Sequence, residues 1–419
     1  AAYDSIKDLH HVVPTGRFMR NIHRWSAHVM VAAVLLHMVR VFYTAAYKGA
    51  RQLNWVVGIL LLAVTLGLSF TGYLLPWDQL AYWAVTIGAN IAQSPREVTD
   101  ALGVTPWFDP GGLQKEILLG SSAVGPDALI RFNLLHVVIL PLALTGLMGV
   151  HFWRIRKDGG LARPADAAAR LGPSPEPIKP VFTAAPQKTY GLMAFVRGSS
   201  PSVGRTPEDT LPSWPHLLYA ELAVLMALTA AVLILGFFFD APLKEPANPL
   251  IPENPAKAPW YFLGLQELVS FSAFMGGVGV PGITLLGLVL IPYLDRAPGV
   301  EGRWLAGPGE RRVALLALVY GLATVIGLEA FAIHFGWLRQ WFPAIPQLVI
   351  TVVNPATVLT LLYAGLSLVV IRRTRSVRLG AVALFTCFLA GFVVLTVIGV
   401  HFRGPNWEFF WSPSQWPIH

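Results

Sequence analysis

The sequence predicts an all-α integral membrane protein of about eight transmembrane helices. Of its 419 residues, 54% are hydrophobic and only 13% charged, a balance far from that of soluble domains. The apolar residues also gather into runs of about 20, the length that crosses the roughly 30 Å hydrocarbon layer as a helix. Spans are expected near 22–46, 54–75, 130–153, 215–239, 279–295, 312–335, 346–371 and 379–402.

Residues 1–20 are mixed and polar and read as an interfacial lead-in. The fifth span is short and has Pro281 near its start. The apolar piece before it, Trp260 to Met275, is interrupted by Gln266, Glu267 and the pair Gly276-Gly277, so it is expected as a surface element and not as a ninth span. Charge supports that choice. Loops 47–53, 154–214, 296–312 and 372–378 hold 19 of the 31 Lys and Arg residues, which makes them the cytoplasmic side and puts both termini outside. A ninth span would carry the arginines after 371 to the wrong face. The net charge of +8 therefore orients the chain and faces anionic membrane lipid; nucleic acid is not an expected partner.

Segment 157–212 is rich in Pro, Gly, Ala and Ser and reads as a cytoplasmic linker. It divides residues 1–156 from 213–340, and residues 341–419 add two spans and an aromatic tail. The outer segments 76–129 and 240–278 are long and carry aromatics and prolines, so a folded outer surface is expected.

The first span carries His23 and His37, the third His136 and His151. Fourteen residues at about 100° each bring His23 and His37 to nearly the same helix face, about 21 Å apart along the axis. The first and third spans run in the same direction, which sets His23 level with His136 near the outer face and His37 level with His151 near the inner face. Two stacked b-type haems need that geometry, and two imidazoles per iron leave an electron carrier with no open position. The one cysteine, Cys387, excludes an internal disulfide, a thiolate cluster and a CxxCH attachment, so histidine alone would hold the iron. Buried histidines also serve proton paths or interhelical contacts, but those roles do not need two matched pairs.

Gly58 and Gly72 in the second span repeat the 14-residue spacing and would clear room for a flat macrocycle, with close helix packing as the plainer alternative. Arg20 and Arg24 lie within a turn of His23, where they could pair with haem propionates or simply mark the interface. His28 falls about 140° round the helix from His23, which favours a packed or hydrogen-bonded role.

The runs IHRWSA and LLHMVRVF, then TGYLLPWDQLAYWAV at 71–85, WPHLLY at 214–219, EPANP at 245–249 and PWYFLGLQEL at 259–268 resemble the cytochrome b subunit of quinol-oxidising cytochrome bc complexes. The first part is similar to the b6-type branch, whose later histidine pair is also 15 apart. The second part resembles the subunit that this branch often makes separately. The resemblance covers roughly residues 1–335. It implies a di-haem helical bundle plus a C-terminal helical domain, with His23 and His136 on the outer haem and His37 and His151 on the inner one. It further implies quinol oxidation at an outer pocket between the PWDQ and PWY segments and quinone reduction near the inner face. The implied partners are a Rieske iron–sulfur protein, a cytochrome c or other haem subunit and a second copy of the chain. The implied location is a bacterial inner membrane.

The sequence departs from that pattern in three places. The family begins with a membrane helix ahead of the first histidine span, and a truncated sequence is the expectation here. Arg156, five residues past His151, is similar to the branch that carries an additional inner haem. The common Pro-Glu-Trp-Tyr motif reads Ala258-Pro259-Trp260-Tyr261, so the carboxylate that would accept a quinol proton is missing beside Tyr261. A base must be titratable and within reach of the hydroxyl. Glu267 is the first expected substitute, then Glu253 and Asp78. The last two spans follow where the second part of the family ends, and are assigned to packing or partner contact. A di-haem anchor of a dehydrogenase and a proton-coupled transporter are the competing functions. Neither calls for the PWDQ and PWY segments.

Overall fold

The computed structural model describes residues 2–158, 160, 162, 213–296 and 301–417; the expected linker lies almost wholly outside the described residues. Every regular element among them is helical, and eight helices are long and apolar enough to cross a membrane. An amphipathic α1 (Ala2–His11) leads into α2 (Gly16–Tyr43), the first histidine span. The second span is α3 (Gln52–Leu74). The third joins α7 (Pro126–Leu134) and α8 (Leu140–Lys157) through a π turn at Leu135–Ile139. Proline explains the turn: Pro141 has no N–H for the carbonyl of Val137 and its ring pushes that carbonyl aside. The widened turn holds His136. The same relation recurs before α11 (Val280–Leu294), where Pro281 follows a π turn at Met275–Gly279.

The remaining spans are α9 (Leu218–Phe238), α12 (Glu310–Phe335), α15 (Pro355–Thr374) and α16 (Val377–His401). The expected span 346–371 is broken. A short α14 (Gln347–Val352) ends before Asn354, whose side chain accepts from the Thr357 N–H and caps α15. Between the spans, α4 (Gln79–Gln93), α5 (Pro95–Ala101) and α6 (Pro110–Leu119) fold over the His23 end, and α13 (Leu338–Trp341) follows α12. Glu97 of α5 accepts from Thr351 at 2.7 Å and Gln347 at 3.2 Å, which fastens α14 to this surface.

The segment after Pro259 forms α10 (Trp260–Phe271). At about 18 Å it is too short to span, as expected. It is not superficial, however: Tyr261, Leu263, Gly264 and Glu267 are buried. Gly264 allows the approach to α16, since a Cβ there would sit 2.9 Å from Thr396 Oγ1 and 3.2 Å from the Phe392 carbonyl.

The core runs through α16. Val382 and Phe385 pack with Phe42 and Tyr43 of α2 and with Leu288 of α11, while Ala383, Cys387 and Leu395 pack with Ala317 of α12 and Tyr363 of α15. At the His37 end, Arg378 donates to Glu310 at 2.8 Å, to Tyr47 at 3.0 Å and to the carbonyls of Phe42 and Tyr43 at 3.0 and 3.1 Å. Tyr47 donates onward to Asp295 at 2.6 Å, and Asp295 pairs with Lys48 at 2.9 Å. Two cations and two anions close this buried network without excess charge.

Candidate functional site

The parallel first and third spans, α2 and the π turn with α8, bring the four histidines together in two pairs. The rings of His23 and His136 lie 6.1 Å apart at 81°, and those of His37 and His151 lie 6.4 Å apart at 81°. Metal–imidazole bonds of about 2 Å on each side put two axial ring centres roughly 6 Å apart, so both pairs fit a six-coordinate iron. The His136 Nδ1 lies 3.0 Å from the Leu68 carbonyl, a contact that fixes the tautomer with Nε2 free. His151 Nδ1 and Asn54 Oδ1 are buried without partners among the described residues, at a cavity that His37, His151, Asn54 and Gly58 help to line.

The glycines sit against the rings. A Cβ on Gly72 would lie 2.5 Å from His136 Cε1, whereas one on Gly58 would lie 3.6 Å from His151 Cε1. Arg20 donates to the carbonyls of Ala241 and Pro242 at 2.7 and 2.6 Å, so its guanidinium is spent on the loop after α9. Arg24 lies within electrostatic reach of Tyr73, Tyr261 and Asp78. Arg156 is exposed and outside the lining of the inner cavity.

At the other end the PWDQ segment and residues 244–254 pack together. Gln79 donates to the Glu245 carbonyl at 2.9 Å and accepts from the Asn248 N–H at 2.7 Å, and Trp83 donates to the Ile251 carbonyl at 3.0 Å. The three carboxylates expected near Tyr261 are not brought together, and each is already engaged. Asp78 caps α4 through the Ala81 N–H at 2.9 Å and accepts the Lys244 N–H at 2.9 Å. Glu253 pairs with the Lys244 ammonium at 2.9 Å. Glu267 is fully buried and gripped by Arg403: Nε lies 2.9 and 3.1 Å from its two oxygens and Nη2 is closer still. Trp407 donates to the same carboxylate at 3.0 Å, and Glu329 lies 3.7 Å from Arg403. Glu267 thus anchors the tail beyond α16 and offers no free oxygen.

Tyr261 is buried, and burial pushes its phenol above the usual range, so it stays a neutral donor. Beside it, Trp260 donates its indole N–H to His28 Nδ1 at 3.0 Å, and the His28 and Tyr261 ring centres are 5.8 Å apart. Sequence reasoning placed His28 off the haem-facing side with a hydrogen-bonded role but did not find this partner, which lies 232 residues away.

A helical membrane bundle with facing imidazole pairs in two parallel spans defines a class of polytopic protein built to hold groups between its helices. The chain belongs to the cytochrome b family, for the profile described as Cytochrome b(N-terminal)/b6/petB matches residues 28–249. It is 42% identical over 159 residues to the cytochrome b6 of Heliobacterium mobile, covering 38% of this chain and 69% of that one. It is 43% identical over 159 residues to the menaquinol:cytochrome c reductase cytochrome b subunit of Bacillus subtilis (strain 168), covering 38% and 66%. A solved hyperthermophilic respiratory Complex III aligns over 95% of this chain and 83% of its own, with a TM-score of 0.58 and 25% identity.

Proposed function

We propose that this chain is the cytochrome b of a bc-type complex: it oxidises quinol at the His23 end, delivers electrons to a Rieske protein and to a quinone at the His37 end, and moves protons across the membrane. The observation that carries the reading is the two imidazole pairs at 6.1 and 6.4 Å in parallel spans. Two b-type haems bound there supply a one-electron path between the two ends of the bundle. His23 and His136 would hold the outer group and His37 and His151 the inner one, and Gly72 leaves the His136 imidazole room. Trp260 and Tyr261 wall the outer pocket. Glu267, paired with Arg403, is structural in this reading.

The Bacillus relative is named for menaquinol and cytochrome c, which makes these the first donor and acceptor to try. A cytochrome c subunit, a second copy of the chain and a bacterial inner membrane belong to the same proposal. Acid extraction and low-spin spectra of the purified protein are expected to give two haems b per chain, with quinol reducing both. A colourless preparation would sink the reading.

A further inference from the structure

We propose that His28 is a substrate-binding residue of the outer pocket, donating its Nε2–H to an oxygen of the quinol or quinone. The inference rests on reading that pocket as the quinol-oxidising one. An indole N–H can only donate, so the His28 Nδ1 facing Trp260 at 3.0 Å must accept. A neutral imidazole that accepts at Nδ1 carries its proton on Nε2, and Nε2 forms no hydrogen bond among the described residues. Trp260 therefore locks one tautomer and leaves a donor of fixed direction.

The surroundings give that donor a use. Pro259, which stands where the motif has its Glu, can neither donate nor accept through its ring, and Asp78, Glu253 and Glu267 are held by Lys244, Arg403 and backbone N–H groups. The ring is faced by Arg24 and the Trp25 ring, 5.6 Å away, from its own helix and by Trp260 and Tyr261 from α10. A quinone oxygen accepts hydrogen bonds, and a quinol oxygen gains negative charge as its proton leaves. A donor aimed beforehand favours that charge without having to reorient.

Two variants of the intact complex test the assignment with a short-chain naphthoquinol. His28→Gln keeps an acceptor for Trp260 and an N–H for the substrate, and its kcat/KM is expected to fall clearly less than that of the leucine variant. His28→Leu removes both and is expected to lose about tenfold, the scale of one hydrogen bond to developing charge. Infrared spectra of the bound, carbonyl-labelled naphthoquinone provide a readout independent of turnover. The carbonyl band is expected to move toward its non-hydrogen-bonded position in His28→Leu and to stay in His28→Gln. An unmoved band and unchanged kcat/KM in His28→Leu would overturn the role, as would a His28→Gln protein with the free-quinone band. If leucine lowers the haem content, the glutamine variant decides alone by its band. Failure of the parent complex to oxidise or bind the naphthoquinol would instead overturn the function reading itself.

Discussion

Gly72 and Gly58 share the spacing of the histidines, yet the space above them differs. A methyl on Gly72 would intrude to 2.5 Å of the His136 ring, while one on Gly58 would meet His151 at an ordinary 3.6 Å. Gly72→Ala is therefore expected to displace the imidazole and to deplete the outer haem more than Gly58→Ala depletes the inner one. Haem content and the reduced low-spin spectrum measure both, and equal losses would detach the glycines from the two sites. Glu267 makes a second residue-scale case. Changing it to Gln leaves the buried Arg403 guanidinium with only the more distant Glu329, 3.7 Å away, at a cost of up to about 3–5 kcal/mol. Replacing Glu267 and Arg403 together by apolar residues is expected to restore much of the thermal stability lost by either alone. A proton-accepting role would predict the opposite pattern, with full stability and a turnover defect that no change at Arg403 relieves.

Helix α16 is where sequence and structure diverge most at the element scale. Hydropathy marks a segment as buried in something apolar, but lipid and protein are equally apolar to Leu and Val, so the central span looks like any other. In the fold 44% of its membrane-length window is buried, against none of the span Pro126–Lys157, and its first turn carries the Arg378 network. Arg378→Met would strand Glu310 and release the ends of α2 and α12, and a loss of about 3–5 kcal/mol is expected. Thermal unfolding in detergent measures it, and a loss confined to a few tenths would make the network incidental. At the opposite end, α2 is tied to the loop after α9 by Asp240. Hydrogen bonds from Arg17 and then Asn21 bring its carboxyl down to about 2. A depressed carboxylate stabilises the fold above its ordinary pKa, and that contribution fades as pH falls from about 4 to about 2. Asp240→Asn is expected to flatten this acid limb of the stability curve; an unchanged limb would locate the acid sensitivity elsewhere.

Across the whole molecule, the features legible in the sequence were those set by local periodicity: the eight spans, the shared face of His23 and His37, and the parallel course that pairs them with His136 and His151. The partners of the charged groups were not legible, because Glu267 meets Arg403 from 136 positions away and Trp260 meets His28 from 232. No short-range signal encodes such contacts. The same distinction frames a test of the two-centre arrangement. Each pair draws one imidazole from each of the same two helices, yet no side chain is shared, and about four turns separate the pairs along α2. Removing one ligand should therefore empty one centre and spare the other. His23→Leu is expected to leave one haem per chain, with one of two one-electron steps missing from a redox titration. His37→Leu is expected to remove the other step and leave the first. If either single change abolished both steps, the pairs would form one cooperative site, and the bundle could not carry electrons between separate outer and inner centres.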